Sequence, residues 1–125
     1  MHALLGLRNG TEVLSHPRFG ASWEGFALEQ VIRFLEADRD AYFWATHGGA
    51  ELDLLFVYRG RRYGVEVKFS EAPVLTASMR VALHDLRLEH LWVVYPGDSR
   101  HPIDARVTAW PLREVPALRA QLARR

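Results

Sequence analysis

Residues 48–70 read GGAELDLLFVYRGRRYGVEVKFS. Two runs rich in β-branched, aromatic and leucine side chains, 51–58 and 63–69, flank Arg59, Gly60, Arg61 and Arg62, a turn segment. The pattern predicts a β-hairpin. Side chains at i and i+2 of a strand share a face. Glu66 and Lys68 are therefore expected to project together, with Val65 and Val67 on the other side. Glu51 and Asp53 are expected to share a face likewise, and pairing through the turn brings Asp53 beside Glu66. Lys68 is the only lysine among 16 lysine and arginine residues. Lysine offers a compact charge whose pKa moves readily, whereas arginine is planar and holds its proton.

Outward from this hairpin, the chain reads as one mixed α/β domain of 125 residues. Residues 22–38 have helical periodicity, with Ser22 as N-cap. Trp23, Phe26, Ala27, Val31, Phe34 and Leu35 fall on one apolar arc. Glu29 and Arg33 lie opposite as a surface pair. Glu24 falls near the middle of the apolar arc, and an inward carboxylate needs a partner, a metal or a proton. Residues 41–46 read as a strand, 75–88 as a second helix, 90–95 as a buried strand and 105–110 as a short strand. A last helix is expected from Pro116. Residues 1–10 read as the tail of a helix ending in the turn signal Asn9-Gly10.

Composition removes several classes. A net charge of +1 gives no global basic field, so nucleic-acid contact would need a local patch. The chain has no cysteine, which excludes disulfides and thiolate metal sites. Six histidines without close ligand spacing speak against zinc. The single lysine is followed by Phe69, so a P-loop is absent. No apolar run reaches the ~20 residues of a membrane span and no signal peptide is evident, so a soluble cytoplasmic domain is expected.

Asp53 and Glu66 on adjacent strands, with Glu24 reaching in from a helix, form a set of oxygen donors suited to Mg²⁺ or Mn²⁺. Such an ion polarises a phosphodiester and lowers the pKa of its bound water, and a nearby ammonium can orient that water. Taken alone, Glu66 and Lys68 also fit an exposed strand pair of little energetic weight. Glu24 also fits a structural acid satisfied by backbone donors. Glu51 fits an outer-sphere ligand or an exposed strand start. Arg59, Arg61 and Arg62 at the turn, and Arg80 on the second helix, are the candidate phosphate contacts. His47 is placed near the mouth of the site. Ser70 lacks a base partner, and the four tryptophans sit in apolar runs as core residues.

The pattern GASWEGF, then GGAELDLLFVYRGRRYGVEVKFS, resembles the PD-(D/E)xK phosphodiesterase superfamily, the restriction-endonuclease-like fold. Its core order, α-β-β-β-α-β, agrees with the reading above, with a strand and helix added at the C-terminus. More closely, HPRFGASWEGF, GAELD, VEVKFS and LWVVYPG resemble the C-terminal domain of unknown function of prokaryotic AAA-type ATPases. The resemblance implies Asp53, Glu66 and Lys68 as catalytic residues. It also implies Asp53, Glu66, Glu24 and the Val67 backbone carbonyl as Mg²⁺ ligands. Leu52 stands where many members have proline. The implied activity is hydrolysis of nucleic acid, DNA above all. A binding or interaction module that keeps the fold without catalysis is the alternative. Residues 1–20 would connect to an upstream ATPase, and a homodimer through the hairpin or terminal helix fits either reading.

Overall fold

A computed structural model describes residues 19–35, 42–45 and 49–124. The expected tail at residues 1–10 and His47 lie outside the described residues. Helix α1 spans Phe19–Leu35, followed by β1 (Tyr42–Ala45), β2 (Glu51–Tyr58) and β3 (Arg61–Val67). Helix α2 (Ala77–Asp85) leads into β4 (His90–Tyr95), β5 (His101–Asp104) and β6 (Val107–Pro111). A 3₁₀ segment, Leu112–Ala117, runs into α3 (Leu118–Ala123). The six strands form one mixed sheet in the order β1-β2-β3-β4-β6-β5. The β3–β4 and β4–β6 pairs are parallel and the other three antiparallel.

The expected hairpin forms. Leu54 pairs with Val65 and Tyr58 with Arg61, which leaves Arg59 and Gly60 as a two-residue loop. Both have positive φ, 55° and 77°, as a type I′ turn requires. Strand β4, HLWVVY, is buried along its whole length, as expected for a parallel strand covered on both faces.

One face of the sheet packs Leu54, Phe56, Tyr63, Val65, Val67, Trp92, Val94 and Trp110 against Ala27, Val31 and Leu35 of α1 and Leu118 and Leu122 of α3. The other packs Leu52, Leu88, Leu91, Val93 and Val107 against Met79 and Ala82 of α2. The result is a three-layer α/β/α domain. Trp92 and Trp110 are buried as expected, and Trp23 and Trp44 pack at the core margins.

Several expectations change. The buried stripe of α1 runs through Ala27, Val31 and Leu35 with Leu28 and Ile32 beside it, while Phe26 and Phe34 are exposed. The arc is thus rotated so that Glu24, seven residues before Val31, lies in line with it. Strand β5 was not expected, because HPID offers one apolar residue and carries a proline; that proline is tolerated because β5 is an edge strand. Pro116 sits inside the 3₁₀ segment, and α3 begins two residues later. Helix α2 is shorter than 75–88. Thr76 caps it by accepting from the Met79 N–H at 3.1 Å. Its other end closes with Leu88 N–H donating to the Leu83 carbonyl at 3.1 Å, and Arg87 takes a φ of 53°. That is a Schellman closure with arginine where glycine is usual, at a cost of about 1 kcal/mol.

Among the described residues no helix is long and apolar enough to cross a membrane.

Candidate functional site

The site is built where β2 parts from its neighbours. Between the pairs Tyr42–Leu55 and Trp44–Leu52, β1 advances two residues and β2 three. The extra residue is a bulge at Asp53 and Leu54. A bulge breaks side-chain alternation and re-aims a residue. Leu52 accordingly packs toward α2 while Leu54 packs toward α1. Alternation is thus broken between Leu52 and Leu54, and a shared face for Glu51 and Asp53 no longer follows from their spacing. Glu51 is exposed, and its backbone N–H donates to Ser78 Oγ at 2.7 Å, tying the start of β2 to the first turn of α2.

The β2–β3 ladder ends at Leu54 and Val65, one step before Asp53 and Glu66. Two carboxyl groups fill the gap that opens. The Asp53 N–H donates to Glu66 Oε1 at 2.9 Å, and the Val67 N–H donates to Asp53 Oδ2 at 2.9 Å. Each acid therefore accepts a main-chain hydrogen bond from the strand opposite, in place of a backbone carbonyl. Across β3, the Lys68 N–H donates to the Val94 carbonyl of β4 at 2.9 Å. The N–H and C=O of a trans peptide point in opposite directions, so the Val67 carbonyl is turned toward the Asp53 side.

Burial sets the electrostatics. Glu66 is 5% exposed and its pKa is pushed up to about 9, first by burial and then by the neighbouring Asp53 charge. Asp53 is also raised by burial, opposed by the Val67 N–H, by Glu66 and by the Lys68 ammonium. Like charges this close in a buried setting do not both ionise readily, and the pair retains a proton at neutral pH. Lys68 lies near enough to pull both carboxyl groups downward without overcoming burial.

Glu24 reaches the same strand end from α1. Its Oε2 accepts from the Phe69 N–H at 2.9 Å, and Trp23 packs on the Phe69 ring with centroids 5.6 Å apart. The backbone-donor reading of Glu24 is therefore met, and the bond fixes the residue next to Lys68. Among the described residues no three acidic or histidine groups gather around one metal position. Two carboxylates and a carbonyl are nevertheless hard oxygen donors of the number Mg²⁺ uses when it keeps several waters. The donor set at Asp53, Glu66 and Val67 fits that ion.

The arginine candidates lie elsewhere. Arg59, Arg61 and Arg62 sit at the hairpin turn, four or more strand positions beyond Asp53, or about 14 Å or more away. Arg80 is exposed on α2. Ser70 is exposed and its Oγ accepts from the Ala72 N–H at 3.3 Å. Ser78 was missed by sequence reasoning; the signal available was its place in the first turn after the Thr76 cap.

Two mycobacterial proteins, from Mycobacterium bovis and Mycobacterium tuberculosis, both described as uncharacterized, are each 44% identical over 115 residues. That alignment covers 92% of this chain and 26% of each relative, so the chain spans about a quarter of their length. No solved structure gives a significant match. A domain of unknown function, DUF4143, matches residues 19–115, the stretch that holds Glu24, Asp53, Glu66 and Lys68, and the chain belongs to that family.

Proposed function

We propose that this domain is a Mg²⁺-dependent nuclease of the PD-(D/E)xK type, with a restriction-endonuclease-like core. The observation that carries the reading is the pairing of Asp53 and Glu66 across the parted β2–β3 ladder, with Lys68 beside them. Asp53, Glu66 and the Val67 carbonyl would hold the ion, which when bound would polarise the scissile phosphate and supply an activated water. The chain's own residues do the rest. To serve as a ligand Glu66 would release its proton to solvent. Lys68 offers an ammonium to orient the attacking water and offset charge growing on the phosphoryl oxygens. Glu24 is a positioning residue: by accepting from the Phe69 N–H it holds the strand end that carries Lys68.

We place the domain at the C-terminus of a AAA-type ATPase, acting on DNA. In support, most of the length of the mycobacterial relatives lies outside the matched region.

A second reading has its own observation. Asp53 and Glu66 already satisfy two backbone donors, and that stitching holds the sheet together without any ion. On this reading the domain binds DNA or a protein and cleaves nothing.

Cleavage of plasmid and single-stranded DNA with Mg²⁺ or Mn²⁺ separates the two. The nuclease predicts metal-dependent cutting that falls about 100-fold or more in Lys68→Ala and Asp53→Asn, with folding retained. Cutting that is equal in parent and both variants, or absent with either metal, contradicts it.

A further inference from the structure

At the far end of the hairpin, Gly60, Arg61, Arg62, Asp85, Arg87 and Glu89 line an open groove of about 390 Å³. It lies between the β2–β3 turn and the loop that closes α2. Among the described residues its three guanidinium groups make no ion pair; Arg62 Nη1 donates to the Leu86 carbonyl at 3.3 Å. Of the other arginines, Arg100 is paired to Glu114 and Arg113 to Asp98, while Arg106 and Arg119 donate to backbone carbonyls as Arg62 does. Asp85, two residues before Arg87, is taken by His84 Nδ1 at 3.0 Å, and Glu89, two residues after it, lines the same groove.

The backbone adds an independent observation. Arg87 holds a φ of 53° at the one position of the α2 closure where glycine would relieve the strain. Arg87 thus sets a long cationic side chain beside the hairpin at a position where glycine would be less strained.

The lining narrows the ligand. Guanidinium groups bind phosphate oxygens in bidentate fashion. A bare anion would meet repulsion from Asp85 and Glu89, whereas a nucleotide also carries exocyclic amino groups, from which carboxylates accept. The volume falls in the range of small-molecule sites. We propose that this groove binds a nucleotide unit of single-stranded nucleic acid, as a site separate from Asp53, Glu66 and Lys68. It stands whether or not that pair hydrolyses anything.

The test is fluorescence anisotropy of a labelled single-stranded oligonucleotide of about 12 nucleotides across a salt series. The double variant Arg61→Gln, Arg87→Gly is compared with the parent chain. The expected result is an affinity about tenfold weaker or worse, with the log–log salt slope reduced by about 1.4, roughly 0.7 per lost phosphate contact. Glycine is favoured at position 87, so the variant should melt no lower than the parent, and unfolding would not account for the loss. Arg113→Gln, outside the groove, should leave affinity and slope unchanged. An unchanged affinity and slope in the double variant would overturn the proposal, as would absence of binding by the parent. Inorganic phosphate competing as well as the oligonucleotide, phosphate for phosphate, would overturn the nucleotide assignment. Cleavage is not read, so a silent Asp53–Glu66–Lys68 site leaves the result intact.

Discussion

Glu66 is the residue on which the proposed chemistry turns. Its pKa is pushed up to about 9 from an ordinary 4.5, so between those values the folded protein keeps a proton that the unfolded chain has lost. Stability should therefore fall as pH rises through that window, on the order of 1 kcal/mol per pH unit. Urea unfolding of the metal-free protein at about pH 6 and about pH 9 checks this, with the lower pH expected to be more stable. Glu66→Gln mimics the protonated acid, accepting at Oε1 and donating at Nε2. Its stability should vary little across the same window and exceed that of the parent near pH 9. Parallel pH profiles for parent and variant would mean that Glu66 is ionised throughout. Glu24 was legible as an inward carboxylate from its place among apolar neighbours. Its partner was not, because the Phe69 N–H lies 45 residues away.

Strand β3 carries the site on one end and a tight core contact in its middle. A Cβ on Gly64 would come within 2.9 Å of Leu88 Cδ1 and Leu91 Cδ1 and 3.1 Å of Leu52 Cδ2. Those three leucines are buried to within 1% exposure, so all must give way together. Gly64→Ala should cost about 1–2 kcal/mol in chemical denaturation, and an unchanged midpoint would contradict this packing. The hairpin itself was readable from its strand composition and its glycine turn, and that register alone brought Asp53 opposite Glu66. The bulge was not. A one-residue insertion relative to β1 leaves no mark in the alternation of LDLLF, whose leucines fill either face equally well. Strand β5 escaped for the opposite reason, since its hydrogen bonds to β6 come from backbone that any sequence supplies.

At the scale of the whole molecule, the sheet separates two charged regions. The acid–lysine set lies where β2 and β3 part, and the arginine-lined groove lies at their joined end. Sequence placed Arg59, Arg61 and Arg62 near phosphate but could not show that the hairpin carries them away from Asp53. Nor could it show that α2 closes beside them through Arg87, which requires the tertiary fold. Loss of Ser78, which ties α2 to the start of β2, tests how firmly the layers hold the site. Ser78→Ala should lower stability by about 1 kcal/mol, read as a lower denaturation midpoint at unchanged slope.

Asp53 and Glu66 are proposed as a metal site that a proton occupies when the ion is absent. Calorimetric titration of Mg²⁺ and Mn²⁺ near neutral pH, in two buffers of different ionisation enthalpy, tests it most directly. Saturable binding with release of about one proton is expected, with loss of both signals in Asp53→Asn. No binding, or binding that releases no proton and survives in Asp53→Asn, would contradict it.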